Sequence, residues 1–292
     1  MKKILTFLGL SLVITSLAFS QKNEEVIKKE ATERMKNLSI YFTENLGQWH
    51  EDVRFKANGK GATLFFTEYG TTFLLSRKKQ GVKPEPPKDD FFRDRPEPPP
   101  MEYWSVKLFF EQCNDSVSYD GDDKRSWNNN YFLGNDSTKW RPNVPNWGKI
   151  DLKNVWDGIT MSYFENGDEI KYSMIVEPFA NPEQIVMRYD FGDKDGKSGI
   201  KITELGTLEV ETPFGKFVEG VPYVFQEIDG EKTQVECSYK TVDHVDKRKT
   251  ASNVVGPNID FIEDAYSFQL GDYDPSKPLY IDPIYDFSTL DK

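Results

Sequence analysis

Histidine and cysteine are nearly missing from this chain of 292 residues, with two of each. His50 and His244 stand far apart, and neither has a His or Cys three to five residues away, so zinc-ligand spacing is lacking. Both read as surface or turn residues. No G-x-S-x-G elbow or comparable nucleophile signature occurs, which argues against a serine or cysteine triad. The apolar share is only 37%, and aromatic residues supply 14% of the chain, an aromatic-rich mix that favours pleated sheet over a helical bundle. Basic residues are outnumbered 37 to 48 by acidic ones, for a net charge of −11. An acidic surface argues against nucleic acid and anionic lipid as partners and is compatible with a divalent cation. Beyond residue 20 no run is long and apolar enough to span a bilayer. No repeat of constant length is found.

The two cysteines, Cys113 and Cys237, leave two readings open. In an oxidising compartment they could form one bridge. Otherwise they are separate buried thiols that behave as small apolar residues.

Residues 1–20 read MKKILTFLGLSLVITSLAFS, with a basic start, an apolar run and small residues before Gln21. This predicts a signal peptide and an exported protein, placed extracellularly, at the cell surface or in the periplasm. No Cys follows the run, so no lipid anchor is expected. Residues 21–39 are charged and lack Gly and Pro, with apolar positions at helical spacing, and read as a short helical leader. From Ile40 the pattern changes to strands. GATLFFTEYG alternates and turns at Gly70, and ITMSYFENGDEIKYSMIVEP predicts a hairpin turning at Asn166–Gly167. Residues 78–100 interrupt this pattern with seven of the seventeen prolines and read as a Pro-rich disordered loop. DSVSYDGDDKRSWNNN, from Asp115 to Asn130, reads as a polar Asp-rich loop. Short strands and Gly turns then continue to residue 289, with a tail at 290–292. A subdivision of the 40–289 domain near 146–158 is considered.

Six phrases recur in a familiar order. They are FTENLGQW (Phe42–Trp49), NYFLGNDSTKWRPNVP (Asn130–Pro145), VWDGITMSY (Val155–Tyr163), IVEPFANPEQIVMRY (Ile175–Tyr189), VPYVFQEIDGE (Val221–Glu231) and LGDYDPSKPLYIDP (Leu270–Pro283). Together they resemble the N-terminal domain of unknown function in bacterial extracellular proteins that carry SBBP β-propeller repeats. The resemblance covers about Ile40 to Thr289 and carries no catalytic residues with it. In that family a phrase like YSTYLGG opens the propeller. Phe287-Ser288-Thr289 matches its start, which leaves open a stand-alone version or a piece of a longer protein.

Several side chains could carry chemistry. Asp120, Asp122 and Asp123 in YDGDD, and Asp190, Asp193 and Asp195 in YDFGDKDG, are candidate calcium ligands or else solvated hairpin tips. Asp157 and Asp282, beside turns and aromatics, are candidate acids for glycoside hydrolysis or else backbone caps. Trp127, Trp140 and Trp147 are candidate ligand-binding rings, while core packing is expected for most tryptophans. Trp127, between Arg125 and three asparagines, is the best candidate for an exposed ring.

The expected fold is all-β, an antiparallel β-sandwich or two stacked sandwiches. The expected function is a secreted or cell-surface, non-catalytic domain for interaction or assembly. A polysaccharide-binding domain and a carboxylate-based glycoside hydrolase are the alternatives. No cofactor is expected apart from calcium. The expected partners are a surface protein, a polysaccharide or a downstream propeller, with no nucleic acid and no stable membrane anchor.

Overall fold

A computed structural model describes residues 40–59, 61–79, 81, 100–167, 169–192, 198–242, 264–283 and 285–287. The signal peptide, the helical leader, residues 82–99 of the Pro-rich loop, Asp193, Asp195, His244 and the tail lie outside them.

The first half of the chain forms β1 (Phe42–Glu44), β2 (Val53–Asn58), β3 (Ala62–Thr67), β4 (Gly70–Lys78), β5 (Met101–Phe110), β6 (Ser118–Tyr131), β7 (Arg141–Trp156), β8 (Ile159–Asn166), β9 (Glu169–Val176) and β10 (Met187–Asp190). The second half forms β11 (Gly199–Ile202), β12 (Leu208–Thr212), β13 (Gly215–Glu219), β14 (Tyr223–Ile228), β15 (Glu231–Val235), β16 (Cys237–Thr241), β17 (Ala265–Leu270), β18 (Leu279–Asp282) and β19 (Tyr285–Asp286). Helix among the described residues is limited to two single turns, Ser137–Lys139 and Pro182–Gln184.

The strands make two antiparallel sheets. One runs β15-β14-β18-β9-β8-β7-β1-β2-β3-β4-β5-β10-β17-β16, with β6 paired to β7, and the other runs β11-β12-β13-β19. Alternation decides which side chains go inward. In β9, Ile170, Tyr172, Met174 and Val176 are buried and the residues between them are not. Tyr163 on β8 and Phe66 on β3 are separated in sheet order by β7, β1 and β2. On a flat sheet that would be about 19 Å, at ~4.8 Å per strand. Their ring centroids are 4.7 Å apart, and Thr71 Oγ1 lies 3.0 Å from the Tyr163 hydroxyl. The large sheet therefore folds back on itself, and the two layers of the β-sandwich come from one continuous sheet, not from two stacked sandwiches.

The small sheet packs against this interior. Phe217 on β13 lies 5.4 Å from Phe73 on β4, and Tyr285 on β19 lies 5.5 Å from Phe73 and 5.0 Å from Tyr172 on β9. Aromatic rings thus join the two sheets at the centre of a core that also holds aliphatics such as Leu64, Ile150 and Ile281.

Several expectations change here. The Asp-rich segment is no loop: from Ser118 onward it is β6, paired along β7 from Ser118↔Lys153 to Tyr131↔Arg141. Asp120, Asp122, Asp123, Lys124 and Arg125 crowd one stretch of a strand whose outer edge has no partner among the described residues. Charge on such an edge discourages pairing with other chains. The stretch 146–158, where the subdivision was considered, is the second part of β7, up to Trp156, and the turn into its neighbour β8. Pro142 and Pro145 lie inside β7, past its pairing with β8 and β1, so their missing N–H groups cost no second ladder. Lys78 pairs with Met101, so the Pro-rich segment joins two adjacent strands held in register.

Cys113 and Cys237 are both free. Cys113 follows β5 and Cys237 opens β16, with β10 and β17 between those strands. Three spacings amount to about 14 Å, twice the reach of a disulfide. Burial pushes both thiols up to about 12, with Glu111 adding to the shift at Cys113.

Gly70 opens β4 where no side chain fits. Its φ is 153°, and a Cβ there would stand 1.9 Å from the Leu108 carbonyl oxygen of the neighbouring strand. Gly167, at the β8–β9 turn, has open space around it and a φ of 69°. Gly70→Ala is expected to lose roughly 2 kcal/mol or more of unfolding free energy. Gly167→Ala should lose only about 1 kcal/mol, from αL strain alone. Urea titration of the two variants checks the order, and equal losses would contradict the close approach at Gly70.

Candidate functional site

Two of the phrases, FTENLGQW and NYFLGNDSTKWRPNVP, meet through Arg141 and Leu46. In FTENLGQW, the Asn45 side chain does the work of a folded loop. Its Nδ2 donates to the carbonyls of His50 (2.8 Å) and Val53 (2.7 Å), and its Oδ1 accepts from the N–H groups of Gly47 (3.0 Å) and Trp49 (3.2 Å). All four bonds of the amide are used, which suits Asn at a turn. Against this loop lies the end of the β6–β7 ribbon, the phrase NYFLGNDSTKWRPNVP. Asp136 caps the short turn there, accepting from Thr138 N, and its carboxyl is held below the usual range by Thr138. Arg141 ties the two phrases together, donating from Nε to the Leu46 carbonyl (2.6 Å) and from Nη1 to the Thr138 (2.8 Å) and Trp140 (3.0 Å) carbonyls.

The root of the ribbon is pinned by a buried polar cluster. Thr43 Oγ1 donates to Asn146 Oδ1 (2.7 Å), Asn129 Nδ2 donates to the same oxygen (3.2 Å), and Asn146 Nδ2 donates to the Trp127 carbonyl (3.3 Å). Asn146 is fully buried. Beyond that root the ribbon carries large apolar side chains into solvent: Phe132 is 58% exposed and Leu133 59%, with Trp140 also exposed; Trp127 at the root is 45% exposed, and Leu46 of the neighbouring loop is exposed as well. Trp140 packs edge-on to Phe132 at 5.3 Å, and its Nε1 donates to the Gly134 carbonyl. Tyr41 meets Trp127 edge-on at 6.0 Å, and Trp49 meets Tyr131 at 5.4 Å.

Beside the root is a cleft of about 540 Å³, lined by Glu44, Asn45, Arg54, Phe55, Tyr119, Asp120, Gly121 and Trp147. Trp147 lies on the backbone of Gly121, where a Cβ would fall 2.3 Å from the ring. Its Nε1 donates to Glu44 Oε2 (3.3 Å), and Lys124 Nζ stands 5.4 Å from its centroid. Phe55 stacks on Tyr119, whose hydroxyl donates to the Thr67 carbonyl. Arg54 pairs with Glu68, and Asp120 pairs with Lys153, whose ammonium is held protonated to higher pH by that contact.

The candidate residues are thus divided. Trp127 and Trp140 are on the ribbon, and Trp147 and Asp120 are in the cleft. Asp123 pairs with Arg125 (2.9 Å), and Asp122 Oδ1 accepts from the Asp123 N–H. Among the described residues no group of three or more His, Cys, Asp or Glu is placed to hold a metal ion. Asp190 caps a local turn, accepting from Gly192 N. Asp157 is exposed. Asp282 is no turn cap: it stands in β18, 3.8 Å from Lys171, with Oδ1 buried and unpartnered, and burial raises its pKa. Trp156 is in the core, donating from Nε1 to the Glu111 carbonyl.

The profile of a family described as Domain of unknown function (DUF7948) matches residues 42–284. The chain belongs to this family. No curated protein and no solved structure matches it. The DUF7948 match spans the Asn45 loop, the ribbon and the cleft, and it also spans a residue the sequence reading missed.

That residue is Glu219, at the end of β13 and fully buried. Its Oε1 accepts from the hydroxyls of Tyr189 (2.6 Å) and Tyr266 (2.7 Å), and its Oε2 accepts from Tyr172 (2.6 Å). The Tyr239 hydroxyl donates to the neighbouring Gly220 carbonyl (2.9 Å). Burial pushes all four phenols well above 10, and the Glu219 carboxylate adds to the effect. Burial also raises Glu219, partly offset by the tyrosine hydrogen bonds. The signal was present in KFVEG, where strict alternation puts Glu219 on the face of Phe217.

Because the folded-state pKa of Glu219 lies above its unfolded value, its protonated form favours the fold. That contribution is complete below the ordinary value of 4.5 and is lost as pH rises through the raised folded value. The unfolding free energy of the native protein is therefore expected to fall across that window relative to Glu219→Gln, which keeps the shape and does not titrate. Denaturant titrations from about pH 4 to 8 test this, and parallel profiles for the two proteins would contradict it.

Proposed function

We propose that this DUF7948 chain is an exported, non-catalytic recognition domain of the cell surface, whose contact surface is the β6–β7 ribbon with the Asn45 loop. One observation carries the reading: Phe132, Leu133 and Trp140 stand exposed at the tip of the ribbon, with Leu46 of the Asn45 loop tied beside them by Arg141 and Trp127 exposed at the hydrogen-bonded root. Exposed aromatic side chains with an arginine among them are the composition of binding hot spots. Rigid rings lose little entropy on binding, since their positions are set beforehand. The signal-peptide pattern of residues 1–20 supports export. The resemblance to the domain that precedes SBBP propeller repeats supports a place in a surface assembly.

The arrangement of carboxylates favours recognition over hydrolysis. The two acids in the cleft already have partners, Glu44 with the Trp147 indole and Asp120 with the Lys153 ammonium. A glycosidase pair needs one acid that keeps its proton and is aimed at the scissile bond.

The full chain is expected to sediment with isolated bacterial envelopes, and Trp127→Ala combined with Trp140→Ala should weaken that binding about tenfold or more without lowering the unfolding midpoint. Exposed positions make the stability control meaningful. Binding that survives the double substitution, or an absence of envelope binding by the unaltered chain, would overturn this function.

A further inference from the structure

We infer that the cleft at the ribbon root binds a pyranose residue of a neutral polysaccharide, with Trp147 as the stacking ring and Glu44, Asp120 and Arg54 as partners for sugar hydroxyls. This rests on the recognition reading above and names its ligand.

The cleft volume of about 540 Å³ lies within the usual range for ligand sites, about 300–1,000 Å³. Its lining combines one large aromatic face with charged hydrogen-bonding groups. Trp147 is immobilised, resting on Gly121 and bonded to Glu44, so its ring is preorganised. The negative face of an indole attracts the C–H groups on the apolar side of a sugar ring. Among the described residues, Glu44 Oε2 and Asp120 Oδ2 are engaged, and each carboxylate has a second oxygen to accept a hydroxyl hydrogen. Arg54 contacts Glu68 through Nη2, and its fork has further donors. A ligand meeting this set must offer hydroxyls that both donate and accept, together with an apolar face.

Charge disfavours the competitors. Glu44, Asp120 and Glu68 stand against Arg54, Lys124 and Lys153, so the cleft carries no large excess of either sign and suits a neutral ligand better than a phosphate, a uronate or a metal ion. Polar lining on one wall disfavours a wholly apolar ligand. Trp127, itself exposed, lies on the same strand past the register shift between Lys124 and Asn128, and a polymer can reach farther along β6 than a single sugar.

The test is native affinity electrophoresis of the full chain in gels containing β-glucan, mannan or xylan, with alginate as the acidic arm. Retardation by at least one neutral polymer and not by alginate is expected. Glu44→Gln and Asp120→Asn should each weaken it about tenfold, the loss of one charge-assisted hydrogen bond. Asp122→Asn, on the same strand but outside the cleft, should leave it unchanged. Circular dichroism and thermal unfolding confirm that each variant folds. Retardation unaffected by both cleft substitutions would overturn the inference. So would envelope binding by a chain that no neutral polymer retards, and the recognition reading would then stand with a protein partner. If neither envelopes nor polymers bind, both readings fall.

Discussion

A single buried carboxylate sets the internal order of this sandwich. Glu219 enters the interior from the small sheet and is held by hydroxyls from both arms of the large one: Tyr172 comes from β9 on one arm, and Tyr189 and Tyr266 come from β10 and β17 on the other. Burying a carboxylate costs several kcal/mol even after relaxation. Three hydrogen bonds to a charged group return about 1.5–3 kcal/mol each, a sum of the same size as the cost. The cluster thus adds little net stability. It adds direction, because greasy contacts alone would tolerate sliding of one sheet over another and four hydroxyls aimed at one residue pair do not. The Tyr285 hydroxyl, fully buried in the same cluster, makes no hydrogen bond of ordinary geometry.

The recognition surface stands on a different kind of constraint. Side-chain amides, not carboxylates, fix it: half-buried Asn45 shapes the loop and buried Asn146 pins the ribbon. Arg141 links the two through backbone carbonyls. The phrases FTENLGQW and NYFLGNDSTKWRPNVP, distant in sequence, owe their residues to this single junction. Gly121 belongs to it as well, because only a residue without Cβ lets Trp147 lie flat on β6.

Much of the fold was legible because its signals are local. Alternation in β9 and the Asn166–Gly167 turn follow from side-chain period and turn chemistry, and they appear in the structure as read. The Asp-rich segment was misread because turn-forming residues there serve an edge strand. Composition reports exposure, and an exposed strand resembles a loop. The folding back of the large sheet left no local trace, since Tyr163 meets Phe66 only through tertiary packing. Trp127 was legible as an exposed ring from its polar neighbours, while Trp140 was no easier to distinguish from core tryptophans than Trp156. The cleft draws Glu44, Arg54, Asp120 and Trp147 from four strands, and no spacing rule could have joined them. Glu219 was hidden among abundant acids, although its place in KFVEG marked its face.

The tyrosine cluster also bears on when the chain can fold. Its members are gathered from Tyr163 to Tyr285, and β19 brings in the last of them. Closing contacts over such separations is slow, because loop entropy is spent before packing repays it. Until Tyr285 and Phe287 have emerged from the ribosome, the interior lacks rings that Phe73 and Phe217 rest against. The chain as far as Phe287 must therefore be available before that centre consolidates, so the earliest strands of the domain wait on its latest.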